Sequence, residues 1–182
     1  MLHYTRIANL HSKPSMRTFL LILVFSIASF SQSFTFSDES GEFQIVFPKR
    51  PRIESIYATG INGQKAFLAV SDSQLKVERF LFTGEVARSV QQWTDEFLAS
   101  AAIEHGEDNA YENVSVATSS DKFGRYAKLQ GFRTFDDVRY RIEIWFVYGK
   151  REFFAISVIS PSQVFPTKVI RDFRDSFSFK KE

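Results

Sequence analysis

The chain has 182 residues, no cysteine, and 23 basic against 21 acidic side chains. Without cysteine it can form no disulfide bond, thiolate metal site or lipid-anchored thioether, and it has no thiol nucleophile. The near balance of charge gives no support for nucleic acid or an anionic membrane as a partner. Phenylalanine is abundant, with 21 copies. Because buried aromatic side chains dominate core energetics, this composition predicts a compact Phe-rich domain.

A secretory signal precedes that domain. A basic start at Met16-Arg17 is followed by an apolar run from Phe19 to Ala28 and then by small residues that end at Ser31. The run covers about ten residues, whereas a membrane-spanning helix needs roughly 20. The pattern predicts a cleaved signal peptide, with cleavage between Ser31 and Gln32, and an uncleaved anchor is the alternative.

Residues 1–31 are therefore expected to be leader, with Met16 an alternative start, and residues 32–182 to form one exported domain. The leader contains three basic residues and no acidic residue, which leaves 20 basic and 21 acidic side chains after cleavage. The apparent basicity thus belongs to the leader. We expect a periplasmic or extracellular protein with no stable membrane span after cleavage.

The first half of the domain has the period of β-strands. Phe43, Ile45 and Phe47 alternate with polar or smaller residues, and Pro48 ends the run because it cannot donate to a sheet. An Asn62-Gly63 pair predicts a tight hairpin turn. The predicted strands cover residues 42–48, 53–59, 65–71 and 75–82.

The period becomes helical from Gly84 to His105, and Gly106 is expected to terminate that helix. Its predicted apolar stripe consists of Val86, Val90, Trp93, Phe97 and Ala101. Strands are predicted again at residues 112–119 and 125–134. A second helix is expected beyond Pro161, with Pro166 in its first turn and with Val169, Ile170, Phe173 and Phe177 on its apolar side.

A central hairpin is predicted from Arg139 to Ile159, turning at Gly149-Lys150. A two-residue turn would set Phe146 opposite Phe153 and Trp145 opposite Phe154. Both faces of this hairpin are then largely apolar, so both need cover. With two amphipathic helices available, the expected fold class is α+β: a central antiparallel sheet covered by helices on both faces, an α/β/α sandwich.

The segments that carry a family resemblance are Phe43-x-Ile45-x-Phe47-Pro48, the mid-chain helix, Ile144–Tyr148, Phe153–Ser157 and Phe173–Phe177. Together they resemble the PsbP-like family. The resemblance spans most of the domain and consists of pattern and element order. It implies a central antiparallel sheet between helices, a fold shared with a Ran-binding nuclear-transport factor and exported bacterial proteins. It also implies a non-catalytic binding or assembly role. No functional residue of the family is carried over.

A candidate binding set lies beside the hairpin. A two-residue Asp136-Asp137 turn would place Lys128 opposite Trp145, Phe132 opposite Arg141, and Gln130 opposite Glu143 on one face. Cations between aromatic rings can bind an anionic or aromatic ligand. Lys128, Phe132, Arg141 and Trp145 are therefore the predicted binding residues. The alternative is ordinary cross-strand pairing, which contributes roughly 0.2 to 1 kcal/mol per pair.

Other polar groups favour structural roles. His105 is the only histidine beyond the leader, and its position predicts a helix-end residue interacting with the dipole. One histidine without cysteine makes a zinc site improbable, and Asp72 to Glu78 lacks the ligand density of a calcium loop. Solvated surface is expected for the acidic pairs and the basic loop, which are Asp95-Glu96, Glu107-Asp108, Asp136-Asp137, and Lys49, Arg50 and Arg52. Asn113-Val-Ser115 is a sequon that matters only in a eukaryotic secretory pathway.

The sequence thus predicts an exported, non-catalytic binding or assembly module of the cell envelope, without cofactor or metal, whose partner is another envelope or secreted protein. A carrier of an apolar or aromatic small molecule is the alternative, with its pocket between the Phe-rich sheet and the Trp93 helix. Such a carrier should contain a cavity of about 300 Å³ or more. A hydrolase dependent on His105 is the third possibility.

Overall fold

The computed structural model describes residues 32–37, 43–58, 61–83, 92–121, 124–148 and 152–179. Its elements in chain order are β1 (Phe34–Ser37), β2 (Phe43–Phe47), β3 (Arg52–Ala58), β4 (Ile61–Val70), β5 (Ser73–Phe82), α1 (Asp95–Asp108), β6 (Glu112–Asp121), β7 (Gly124–Phe135), β8 (Val138–Tyr148), β9 (Glu152–Pro161), α2 (Lys168–Asp175) and β10 (Ser178–Phe179). The predicted leader lies outside the described residues. Within them, no helix combines the length and apolar character needed to cross a membrane.

The strands form two antiparallel sheets. Seven strands make the larger sheet in the order β3-β4-β5-β9-β8-β7-β6, and β1-β2-β10 make the smaller one. The predicted meander β3-β4-β5 is present, and β9 rather than the next strand in sequence joins it to the other half. The central hairpin β8-β9 therefore occupies the middle of the larger sheet, as its apolar faces required.

The register of that hairpin differs from the prediction. Tyr148 pairs with Phe153 and Trp145 with Ile156, two residues away from the expected pairing of Trp145 with Phe154. Four residues separate Tyr148 from Phe153, so the connection is longer than a two-residue turn. Because side chains alternate with a period of two, a two-residue shift leaves each side chain on its predicted face.

One face of the sheet packs against α1. Leu98 and Ala102 of the helix join a buried cluster with Leu129, Ile144 and Phe146. The predicted stripe was wrong, because Phe97 is 49% exposed and Ala101 is exposed as well. Gly106 does not terminate the helix either. It lies buried within α1, where an added Cβ would be 2.9 Å from Val114 Cγ2, and the C-cap is Asn109.

The opposite face carries a larger cluster rich in Phe. Phe43 and Phe47 of the small sheet pack there with Phe154 of β9, and Ile170 and Phe173 come from α2. Phe43 and Phe154 have ring centroids 4.6 Å apart, and Phe47 and Phe173 are 4.8 Å apart. Much of this layer is sheet. The α/β/α sandwich is therefore met only in part, and the molecule is richer in sheet than that description implies.

The predicted position of one hairpin turn and the predicted start of one helix were wrong by a few residues. Asn62 and Gly63 lie within β4, paired with Tyr57 and Ile56, so the β3-β4 turn comes earlier in the chain. Gly63 has a packing reason in this position, since an added Cβ would collide with the carbonyl oxygen of Arg79. Pro166 precedes Thr167, the N-cap of α2, instead of occupying its first turn.

Candidate functional site

The turn between β7 and β8 sets the geometry of the predicted binding residues. Asp136 and Asp137 both adopt positive φ, 46° and 60°, as the tight hairpin turn of this type requires. The predicted register is confirmed: Lys128 faces Trp145, and Phe132 faces Arg141. The same pairing places Gln130 opposite Glu143. All these side chains project from the face that carries the Phe-rich cluster.

Glu143 is the centre of a polar network on this face. It is only 3% exposed, and its carboxylate accepts hydrogen bonds from Gln130 Nε2 at 2.7 Å and Arg141 Nη2 at 2.8 Å. Lys128 Nζ lies 3.4 Å from its second oxygen. Because a buried carboxylate is costly without partners, this network has a structural explanation that needs no ligand.

A series of cations stacked on aromatic rings follows the same face. We call it the cation–aromatic row and define it by four contacts, with distances from the charged group to the ring centroid: Arg139 over Phe132 at 4.2 Å, Arg141 over Phe165 at 4.8 Å, Lys128 over Trp145 at 5.0 Å, and Arg174 over Trp145 at 5.9 Å. Each distance lies within the range at which such contacts are attractive. The row therefore extends the predicted set by Arg139 on β8, by Phe165, which precedes α2, and by Arg174 of α2.

Exposed residues of β6 border one side of the row. Ser115, Ala117 and Ser119 of the neighbouring strand β6 share its face and are exposed. Trp145, by contrast, is 8% exposed and belongs to the Phe-rich core. The structure thus brings the four predicted residues together, with the indole as a largely covered support. Their role in binding stays a prediction.

A small pocket lies beside Trp145 under α2. Its volume is about 20 Å³, and its lining consists of Tyr126, Trp145, Val147, Ile156, Arg174 and Phe177. That volume accommodates about one water molecule, far below the roughly 300 Å³ of a small-molecule site. This pocket therefore does not meet the expectation for a carrier.

The region where a carrier pocket was expected is occupied by packed rings. Trp93 precedes α1, and its ring centroid lies 5.0 Å from that of Phe97, 5.9 Å from Tyr148 and 6.0 Å from Phe82. Phe153 adds a contact to Tyr148 at 5.0 Å. These distances are those of aromatic side chains in direct contact. Val86 and Val90 of the predicted stripe lie outside the described residues.

His105 lies in the last turn of α1, close to the Phe146 ring at 5.4 Å and the Tyr111 ring at 6.2 Å. Burial lowers the pKa of His105, and the positive charge of Lys76 adds to the shift. The lowered pKa disfavours the charged imidazole and so weakens the expected interaction of a charged histidine with the helix dipole. A Ser-His-Asp arrangement needs an acid that holds the histidine, and the side-chain partner of this ring is the amide of Asn109 at 3.5 Å.

The acidic pairs are spread over the surface. Asp95 pairs with Arg125 at 2.7 Å, and Asp136 and Asp137 form the β7-β8 turn. Glu107 and Asp108 are exposed at the end of α1. Glu78, from the segment considered for calcium, pairs with Lys76 at 2.9 Å. Within the described residues, no three His, Asp or Glu side chains converge as they would around a metal ion. The described acids therefore give no support to a pair of carboxylates with separate acid and base roles.

The remaining basic and polar candidates lie apart from the row. Arg50 is exposed and lies over Phe34 at 5.8 Å, whereas Arg52 pairs with Glu54 at 2.8 Å on β3. Lys49 is also exposed. Asn113 adopts a positive φ of 50° at an irregularity in β6 and is exposed. None of these residues joins the predicted binding set.

Three members of the row were missed by the sequence analysis. Arg139 could have been found, because it is two residues from Arg141 on the same strand and therefore shares its face. Phe165 and Arg174 could not, because they come from the α2 region and only its packing on the sheet brings them to Arg141 and Trp145. Sequence spacing contains no information on that contact.

No known protein family matches the sequence, and no curated protein is similar enough in sequence to indicate one. Solved structures are more informative. Cyanobacterial PsbP (CyanoP) from Synechocystis aligns over 84% of this chain and 95% of its own, with a TM-score of 0.56 and 10% identity.

Two further structures are similar at TM-scores of 0.46. One is a Bacteroides thetaiotaomicron protein with 12% identity, aligned over 83% of this chain and 50% of its own. The other is Mycobacterium tuberculosis LpqN, involved in cell envelope biogenesis, with 9% identity over 82% and 91%. The CyanoP alignment covers both the larger part of this chain and nearly the whole of its counterpart. The chain has a PsbP-like fold.

Proposed function

We propose that this chain is an exported, non-catalytic module of the cell envelope, and that it binds an acidic segment of another exported protein through the cation–aromatic row. The observation that carries the proposal is the row itself. Four cation–aromatic contacts follow one face of β7, β8 and α2, and the adjacent strand β6 offers small, exposed side chains. A partner segment lying on β6 would meet the row along its length.

Charge favours an acidic partner. The row contains four cations, Lys128, Arg139, Arg141 and Arg174. Among the described residues, the ion pairs of these cations are with Glu143 and Asp175, the latter paired with Arg174 at 2.8 Å. The four cations outnumber these two carboxylates. Cations held flat against rings lose little freedom on binding a carboxylate, which reduces the entropic cost of association.

Export and the absence of catalysis are parts of the same proposal. The Met16 to Ser31 pattern supports export, and the dispersed acids and the neutral His105 support a binding role. A PsbP-like fold is compatible with such a role but does not define it. The carrier remains the second candidate, and the pocket at Trp145 gives it no support at its present volume.

Arg139 offers the sharpest test because it is exposed and stacked on Phe132, outside the hydrogen bonds to Glu143. Arg139→Glu should leave the fold intact while reversing charge at one end of the row. Tagged wild-type and variant chains, expressed in the native host, would be cross-linked in place and the bound envelope proteins quantified by mass spectrometry. We expect one partner to fall at least about tenfold with the variant, the equivalent of 1.4 kcal/mol.

Arg52→Glu is the matched control. Arg52 is also an exposed strand arginine over a phenylalanine, Phe67 at 5.6 Å, but it faces the opposite side of the sheet. It should retain the partner at the wild-type level. Identical partner profiles for wild type and Arg139→Glu would overturn the proposed surface, and loss with both variants would indicate a non-specific charge effect.

Export has its own test. The intact mass of the protein purified from its host should correspond to a chain that begins at Gln32. A chain that retains residues 19–28 would support the uncleaved anchor instead, and a chain confined to the cytosolic fraction would contradict export.

A further inference from the structure

The two ends of the seven-stranded sheet differ in how they are protected. An edge strand exposes unpaired backbone N–H and C=O groups, and proteins discourage pairing there with charges or proline. The edge strand β3 follows Pro51 and carries Arg52 and Glu54, which form an ion pair at 2.8 Å. At the other edge, the Ser115 to Ser120 stretch of β6 reads Ser-Val-Ala-Thr-Ser-Ser. The charged residues Glu112 and Asp121 of β6, and its register irregularity between Glu112 and Ser115, lie outside this stretch. The stretch itself contains no charge, no proline and no glycine.

An exposed apolar side chain of α1 accompanies this uncharged stretch of β6. Ile103 of α1 is 44% exposed. Leu98 and Ala102 direct α1 onto the sheet, and His105 on one flank of the helix contacts Phe146 of β8. At about 100° per residue, Ile103 lies on the opposite flank, which is the side toward β6. The open edge thus has an exposed apolar side chain above it.

We infer that β6 pairs with β6 of a second copy of this chain, antiparallel and about a two-fold axis through Ala117. In a continuous sheet, paired residues share a face, so the register places Ala117 opposite its own counterpart. Ser115 then faces Ser119 of the partner, and Val116 faces Thr118. Every pair combines small or β-branched residues, and no like charges meet.

Charge and size fit a second copy. After loss of the leader the chain has 20 basic and 21 acidic residues, so two copies repel each other little. One strand pair and two Ile103 side chains make a small interface of the weak class, and we set the expected dissociation constant on the order of 10 μM. The joint sheet would have both cation–aromatic rows on the same face. The dimer does not depend on the proposed function.

Cysteine cross-linking provides a direct test, because the natural chain has no cysteine. Paired residues in antiparallel strands have Cα atoms about 4.5 to 5.5 Å apart, within the range for a disulfide. Ala117→Cys in the full chain, exported and purified from its host, should form a covalent dimer under mild oxidation at micromolar concentration. Ser55→Cys, exposed on the other edge strand, is the matched control and should remain largely monomeric.

A second measurement uses charge. Sedimentation velocity should show concentration-dependent dimerisation of the wild type, loss of it with Ala117→Lys, and recovery when Ala117→Lys is mixed with Ala117→Asp. Recovery also demonstrates that both variants fold. A wild type that stays monomeric to about ten times the expected dissociation constant, or equal cross-linking of the two cysteine variants, would overturn the inference. Cross-linking of Ala117→Cys to a different protein instead of itself would do the same.

Discussion

Two carboxylates on opposite faces of the sheet have nearly the same partners and differ mainly in burial. Glu143 is contacted by Lys128 and Arg141, and Glu54 by Lys65 at 2.9 Å and Arg52 at 2.8 Å. In both clusters the lysine also lies over a ring, Trp145 or Phe67. Yet the side chain of Glu143 is 3% exposed and that of Glu54 is 33% exposed.

Burial changes what the ion pairs do. Water solvates Glu54 whether or not its cations are in place, so those pairs add little to stability. Glu143 has lost most of its water, and its cations and Gln130 replace that solvation. Charges also interact more strongly in this less polar environment. The cations around Glu54 are therefore dispensable for stability, whereas those around Glu143 are required.

The largest effect should come from Arg141→Met. The substitution removes one partner from a buried carboxylate while Lys128 and Gln130 remain. We expect the free energy of unfolding in urea to fall by about 2 to 4 kcal/mol at pH 7, because breaking a buried pair leaves charge uncompensated. The matched variant is Arg52→Met, in which the free energy of unfolding should decrease far less. Equal losses in the two variants would show that burial does not separate the clusters.

A second variant replaces the whole buried cluster. Lys128→Met, Glu143→Leu and Arg141→Met together remove every charge and keep comparable volume. Such replacements are often neutral, so the triple variant should lie within about 1 kcal/mol of the wild type in the same urea titration. If the triple variant were as unstable as Arg141→Met alone, altered packing would explain the loss of stability in Arg141→Met, and the uncompensated charge of Glu143 would not.

His105 extends the comparison to a base. Its burial lowers the folded-state pKa below the unfolded value of 6.5, so the unfolded chain binds more protons as the solution becomes acidic. Stability should be fully present above pH 6.5 and should decline as pH falls from there through the folded pKa. His105→Gln should flatten this segment of the profile in urea titrations between pH 7.5 and 5, about where histidine titrates. An unchanged slope would assign the effect to other groups.

Salt should produce the smallest effect. About 1 M NaCl reduces the screening length to roughly 3 Å, which weakens exposed pairs more than buried ones. The modest difference between wild type and Arg52→Met should therefore vanish in thermal melts at high salt, whereas the Arg141→Met difference should persist. A difference at Arg141 that is as sensitive to salt as the one at Arg52 would mean that Glu143 is solvated.

The two hairpins of β7, β8 and β9 show what the sequence can predict. Asp136 and Asp137 tolerate positive φ, so a two-residue turn and the resulting Lys128–Trp145 register could be foreseen. For the β8-β9 hairpin the same reasoning predicted a two-residue turn at Gly149-Lys150, which is shorter than the connection in the structure. The faces were still correct because alternation survives an even shift. Local chemistry therefore predicted which side each residue occupies better than it predicted its neighbour.

Tertiary packing explains the larger errors. The predicted stripe relied on its two large aromatic residues, Trp93, which precedes α1, and Phe97, which is half exposed. Instead the helix approaches the sheet through the smaller Leu98, Ala102 and Gly106, which permit close contact. The small sheet over the second face joins β2 to β10, segments about 130 residues apart. Its formation depends on long-range pairing, which local sequence patterns do not predict.

That pairing bears on the order in which the protein can fold. Phe179 pairs with Phe43, and Phe177 packs against both Phe43 and Phe154 with ring centroids 6.4 and 5.5 Å away. The Phe-rich core therefore lacks part of its native packing until residues 177–179 are available. A chain emerging from a ribosome cannot close it early, and contacts of such long sequence separation form slowly. For a chain proposed to be exported, late closure would leave time for translocation before the native state forms.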